Sequence, residues 1–81
     1  MNATKITAPN GRYTIITTRE FESKFDGVID HISSTEAQPF IAANFSEDGK
    51  MVGGRTMQTS LRELSLKKAQ ESGMKIEQVE I

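Results

Sequence analysis

FIAANFSEDGKMVGGRTM, residues 40–57, decides how the rest of the chain is read. Phe40 to Phe45 is apolar enough for a central strand. Glu47-Asp48-Gly49-Lys50 reads as a turn, with Asp-Gly where a two-residue hairpin needs positive φ, and Lys50 to Met57 returns as the partner strand. A competing motif lies in the same stretch. Gly49, Gly54, Arg55 and Thr56 fall one substitution away from the phosphate-cradling pattern G-x-x-x-x-G-K-[ST]. Such a loop must join a buried strand to a helix, so that amides and the helix dipole converge on the phosphates while a lysine reaches the outer oxygens. Here Gly49 belongs to the turn, arginine stands in place of the lysine, and the next helix opens only near Ser60. A chain of 81 residues also cannot supply the parallel sheet that surrounds these loops. The hairpin reading prevails, with Gly53-Gly54 making a bulge or leaving space for a packed neighbour.

Toward the amino terminus, Lys5-Ile6-Thr7-Ala8 predicts a short strand ending at Pro9. Asn10-Gly11 is a hairpin signal, since both residues tolerate positive φ, and the β-branched run Arg12 to Thr18 predicts a second strand. Thr17 and Glu20 have capping-box spacing, and Phe21, Phe25, Val28, Ile29 and Ile32 recur at helical intervals, which predicts a helix over about 18–33. A strand from Phe25 to Ser33 is the rival reading, because Gly27 weakens the middle of that helix. Residues 33–39 have the polar and proline content of a loop.

Toward the carboxyl terminus, a second capping box from Ser60 to Glu63 opens a helix on which Leu61, Leu64, Lys68 and Ser72 share a side, with Leu66 and Ala69 beside it. Gly73 stands where a left-handed C-terminal cap belongs. Met74 to Ile81 closes the chain as a strand whose apolar positions Ile76, Val79 and Ile81 break alternation by one residue, which suits a bulge. The order is ββαββαβ. Residues 1–81 are therefore expected to form a single α+β domain: a ferredoxin-like split βαβ with an extra N-terminal strand, its antiparallel sheet carrying both helices on one face.

Composition narrows the chemistry. Ten Lys plus Arg against eleven Asp plus Glu give a formal charge of −1, so no bulk field attracts a phosphate backbone or an anionic membrane. The absence of cysteine removes disulfides and thiolate ligands and suits a reducing compartment. MNATKITAPNGRY has neither a basic leader nor an apolar core region, and no stretch approaches the ~20 apolar residues of a membrane span. The expectation is a cytoplasmic protein.

Catalytic signals are sparse. No G-x-S-x-G elbow occurs, and His31 beside Asp30 has no third group to complete a base or a metal set, so neither catalytic residue, metal nor cofactor is expected. RNA binding by a βαββαβ sheet needs aromatic residues on the central strands, and the Lys50 to Met57 strand has none. Lys67, Lys68 and Lys75 read as a charge complement at a helix C-terminus. Glu22, Asp26 and Asp30 recur every four residues and make a carboxylate row on the predicted helix. That row is either a solvated face or a surface for a basic partner. The edge strands could pair with another chain, in a homodimer or by β-augmentation.

Residues 47–55, EDGKMVGGR, followed by a helix and a last strand, resemble the middle of the small phage-encoded anti-CRISPR proteins of the type I-F group. The resemblance implies a non-enzymatic inhibitor that occupies a surface of a CRISPR effector complex; the net charge and the missing aromatic platform add the expectation of a protein or ribonucleoprotein partner without direct contact to nucleic acid. The expected contacts are Glu47, Asp48, Lys50 and Arg55, with Glu22, Asp26 and Asp30 as the other patch. A regulatory ferredoxin-like dimer holding a small molecule is the alternative.

Overall fold

A computed structural model describes residues 2–25 and 36–81, apart from the side chain of Glu22. The elements are β1 (Asn2–Thr7), β2 (Tyr13–Thr18), a 3-10 helix η1 (Arg19–Phe25), β3 (Phe40–Phe45), β4 (Met51–Met57), α1 (Thr59–Glu71) and β5 (Lys75–Glu80). The predicted strand over Phe40 to Phe45 is found at those bounds. All five strands form one antiparallel sheet in the order β4-β3-β2-β1-β5.

This order is not the ferredoxin-like split βαβ. Short turns make β1 neighbour β2 and β3 neighbour β4. The longer connection from β2 to β3 leaves and returns at neighbouring positions: Arg19 donates its backbone N–H to the Pro39 carbonyl at 3.1 Å, and Thr18 pairs with Phe40. Its two ends therefore meet, and β2 and β3 become antiparallel neighbours. The first strand is not an appendage either. β1 lies inside the sheet between β2 and β5, with Ile6 opposite both Thr14 and Ile76.

Side chains alternate between the two faces, and each face has its own cover. On one, Ile6, Ile16, Ala42 and Met57 pack with Ala69 of α1, and Phe40, Leu61, Leu66 and Met74 complete the cluster. On the other, Ile41 and Ala43 pack with Phe25 of η1, joined by Phe21, Phe45, Met51 and Ile81. The helical segments thus sit on opposite faces, not on one. Among the described residues there is one α-helix, and η1 takes the place of the start of the expected helix over 18–33. Residues 26–33, the stretch on which the helix and strand readings differed, lie outside the described residues, with Asp26, Asp30 and His31.

Neither capping box forms as spaced. Thr17 lies within β2, and Thr18 Oγ1 donates to Glu20 at 2.8 Å. Helix α1 starts before Ser60: the Gln58 carbonyl accepts the first intrahelical bond, from Arg62, and no side chain caps this end. Its carboxyl end follows the Schellman pattern. Gly73 has φ +74°, its N–H bonds to the Gln70 carbonyl, and the Met74 N–H reaches back to Ala69. The bulge expected in the last strand is absent, because β5 pairs with β1 in unbroken register from Lys75 to Glu80. A register shift lies instead in β4, where Met51 opposes Phe45 and Gly53 opposes Asn44, leaving Val52 as the extra residue.

Among the described residues one buried side-chain polar group is unmatched. Thr17 is 4% exposed and its hydroxyl has no hydrogen-bond partner. Burying an unpaired hydroxyl is destabilising by roughly 1–3 kcal/mol. Thr17→Val keeps the β-branched shape and should raise stability by about 1 kcal/mol, seen as a Tm increase of about 4–8 °C for a domain of this size. An unchanged or lowered Tm would mean the hydroxyl is satisfied in solution.

Candidate functional site

The two turns that join β1 to β2 and β3 to β4 are built alike and lie side by side. In the first, the Ala8 N–H bonds to the Arg12 carbonyl at 2.8 Å and the Gly11 N–H to the Ala8 carbonyl at 2.9 Å. In the second, Ser46 bonds to Lys50 at 2.9 Å and Gly49 to Ser46 at 3.0 Å. Each is a three-residue hairpin loop, a type I turn closed by a left-handed glycine. Positive φ therefore falls on Gly11 (+91°) and Gly49 (+87°) alone, and Asn10 and Asp48 do not share it as a two-residue turn would require. Asn10 and Asp48 have a different task. The Asn10 Oδ1 accepts the Arg12 N–H at 3.0 Å, and the Asp48 Oδ1 accepts the Lys50 N–H at 3.1 Å.

The second turn is the more tightly fastened. Ser46 Oγ donates to Asp48 Oδ1 and also lies 3.1 Å from the Lys50 carbonyl oxygen. Both bonds to the Asp48 carboxylate, the Ser46 hydroxyl first and the Lys50 amide second, hold its pKa below the ordinary 3.8. A Cβ on Gly11 would stand 3.1 Å from the Glu47 Cβ, so close packing as well as φ requires glycine there. Beneath the turns, the rings of Tyr13 and Phe45 stack at 4.8 Å and 9°, and Lys5 Nζ lies 4.4 Å from the centre of the Tyr13 ring. Lys5 on β1 and Phe45 on β3 thus both lie against the Tyr13 ring.

The expected contact residues do not all converge. Glu47, Asp48 and Lys50 are exposed together at the hairpin end. Arg55 lies opposite Ala42, five residues along from Lys50 and roughly 16 Å away at ~3.3 Å per residue. It belongs to a groove between α1 and the sheet, of about 380 Å³, floored by Ile16, Ala42 and Met57 and bordered by Leu61, Lys68 and Ser72. Glu22 lies in η1, the segment that covers the opposite face. Among the described residues no three acidic or histidine side chains come together as a metal set, and no helix is long and apolar enough to cross a membrane. Comparison with protein-family models, with curated proteins and with solved structures returned no match.

Residues the sequence did not single out also belong here. Val52, beside the turn, is 65% exposed on an edge strand, and Asn44 and Ser65 line the groove together with Ser72, which the helical spacing already places on one side with Leu61 and Lys68. A Val in an alternating strand gives no sign that it is displaced by a bulge. The serines do carry a signal, since they occupy helical positions that a core-facing stripe would fill with apolar residues.

Two outcomes test this geometry. Gly11→Ala should destabilise the fold by about 1–2 kcal/mol through its left-handed backbone and its crowding of Glu47, read as a lower denaturant midpoint. The Asp48 carboxyl, followed by NMR, should titrate below 3.8. Because the folded pKa is the lower one, its contribution is complete above the unfolded value and disappears as pH falls through the folded value. Asp48→Asn should remove that part of the acid dependence; a titration midpoint at or above 3.8 would dissolve the account of the turn.

Proposed function

We propose that this chain is a small non-enzymatic inhibitor that binds a protein or ribonucleoprotein and acts by occupying its surface. The observation that carries the reading is the β3–β4 hairpin. Its turn satisfies its own polar backbone through Asp48 Oδ1, so the charged heads of Glu47 and Lys50 and the other carboxylate oxygen of Asp48 are left to solvent on a preorganised loop. A loop already fixed in one conformation has little further entropy to lose on docking.

The adjoining strand fits the same role. β4 is an edge of the sheet, and between Met51 and Met57 only Arg55 is charged. The opposite edge, β5, carries Lys75, Glu77 and Glu80, the kind of charge that discourages strand pairing. Val52 on β4 supplies the apolar contact, being the most exposed large hydrophobic side chain among the described residues. A partner meeting this surface would pair with the edge and place basic side chains against Glu47 and Asp48. The anti-CRISPR resemblance falls on the same residues, 47–55, and makes a CRISPR effector complex the leading target, reached in the cytoplasm of a bacterial host.

The test is capture of partners by the tagged full-length chain from nuclease-treated bacterial lysate, followed by mass spectrometry. The expected result is a stoichiometric protein partner that survives nuclease. Val52→Lys, and separately Glu47→Lys, should weaken capture by at least about tenfold with Tm unchanged. Undiminished capture by both variants would reject the hairpin as the interface, and a chain that emerges alone or as a homodimer would reject the inhibitor reading.

A further inference from the structure

Helix α1 does not close down on the sheet. Of its residues only Ala69 is buried, and the stripe that borders the groove runs Leu61, Ser65, Lys68, Ser72, at intervals of four, three and four residues. Those are the positions from which a core-facing helix projects apolar side chains. Small hydroxyls there cannot reach the floor made by Ile16, Ala42 and Met57, so the space between remains open. Its volume, about 380 Å³, is within the range of small-molecule sites, which run from about 300 to 1,000 Å³.

The polar groups around this apolar floor have one chemical bias. Arg55 and Lys68 stand at the border without an ion pair or hydrogen bond among the described residues, and no Asp or Glu lines the groove. On the floor, Thr14 Oγ1 donates to Asn44 Oδ1 at 2.7 Å, which fixes the amide and leaves its NH2 without an acceptor. Ser65 and Ser72 add two more hydroxyl donors. A groove with an apolar base, several free donors, two cations and no carboxylate favours a ligand of complementary make-up.

We propose that the groove between α1 and strands β2–β4 is a binding site for a small amphipathic carboxylate, its hydrocarbon body on Ile16, Ala42 and Met57 and its anionic head between Arg55 and Lys68. This site is separate from the hairpin end and does not depend on the protein-binding reading. Arg55 stands on edge strand β4 at the groove border and takes no part in the tip formed by Glu47, Asp48 and Lys50.

The test uses octanoate as the probe, with octylammonium and octanol as partners of equal chain length and different charge, followed by NMR of the full-length chain. Octanoate should produce saturable shifts confined to the methyl groups of Ile16, Met57 and Leu61, with octylammonium at least about tenfold weaker and octanol in between. Arg55→Gln with Lys68→Gln should bring octanoate down to the affinity of octanol. Both side chains are exposed, so the fold is not at issue. Ser65→Leu should fill the groove and abolish binding while Tm stays level or rises. Equal binding of octanoate and octylammonium, shifts spread evenly over the molecule, or octanoate binding that survives Ser65→Leu would each overturn the assignment. Capture of a protein partner through the hairpin should be unaffected by the Arg55 and Lys68 changes, which keeps the two readings distinguishable.

Discussion

The pairing of the first strand with the last is the constraint on which the architecture rests. β1 runs between β2 and β5, and its register with β5 extends from Asn2 opposite Glu80 to Thr7 opposite Lys75. The Gln78 side chain donates to Thr4 Oγ1 across a sequence separation of 74 residues. Such contacts are slow to form, because the loop between them must be closed before any bond rewards it. Four strands can assemble as a meander from local turns, but β1 stays an edge, with Thr4 and Ile6 half covered, until β5 arrives.

That requirement dictates what α1 does. The chain leaves β4 at one edge of the sheet and must enter β5 at the other, four strand spacings or about 19 Å away. A helix of 13 residues is about 20 Å long, so α1 is used as a span across the face. A span fixed at its ends need not be apolar along its whole length. It is anchored at the β4 end by Leu61 and by Arg62, whose guanidinium lies 4.9 Å from the Phe40 ring, and at the β5 end by Ala69, Met74 and the Gly73 cap. Between those anchors Ser65 and Lys68 contribute little to packing, and the groove is the result. The weakly amphipathic helix and the open groove are therefore one fact seen from sequence and from structure.

The local elements were legible because their signals are local. Asn10-Gly11, Asp48-Gly49 and Gly73 mark turns and a cap through conformations that glycine alone adopts cheaply, and the run from Phe40 to Phe45 is apolar enough for a central strand. The order of the strands was not legible. It depends on where the chain re-enters the sheet after β2, and the bond from Arg19 to Pro39 that sets β3 beside β2 has no sequence signature. Spacing misplaced the helix starts for a similar reason. Thr17 and Ser60 have the right partners three residues on, but Thr17 is drawn into β2 by its pairing with Ile41, and α1 is under way before Ser60 because buried Met57 ends β4. Of the candidate site, the exposed turn followed from Asp-Gly, whereas the separation of Arg55 from it required the register.

The bulge in β4 is what makes that separation useful. In a strand of strict period two, Met51 would lie on the same face as Gly53, Arg55 and Met57, beneath α1. With Val52 inserted, Met51 instead packs on the opposite face, with Phe45 and Phe25, while Arg55 and Met57 keep their places on the groove. One hairpin thereby serves both layers. Its outer end is anchored in the η1 cluster and carries the fixed turn, and its inner end forms the floor and border of the groove. A bulge also adds right-handed twist and leaves one residue unpaired, which turns the tip away from the plane of the sheet and leaves Val52 in solvent. An unpaired apolar residue on an edge strand is a liability that folds commonly shed. Its position here, between a self-satisfied acidic turn and a strand almost free of charge, is the feature of this molecule that packing alone does not require.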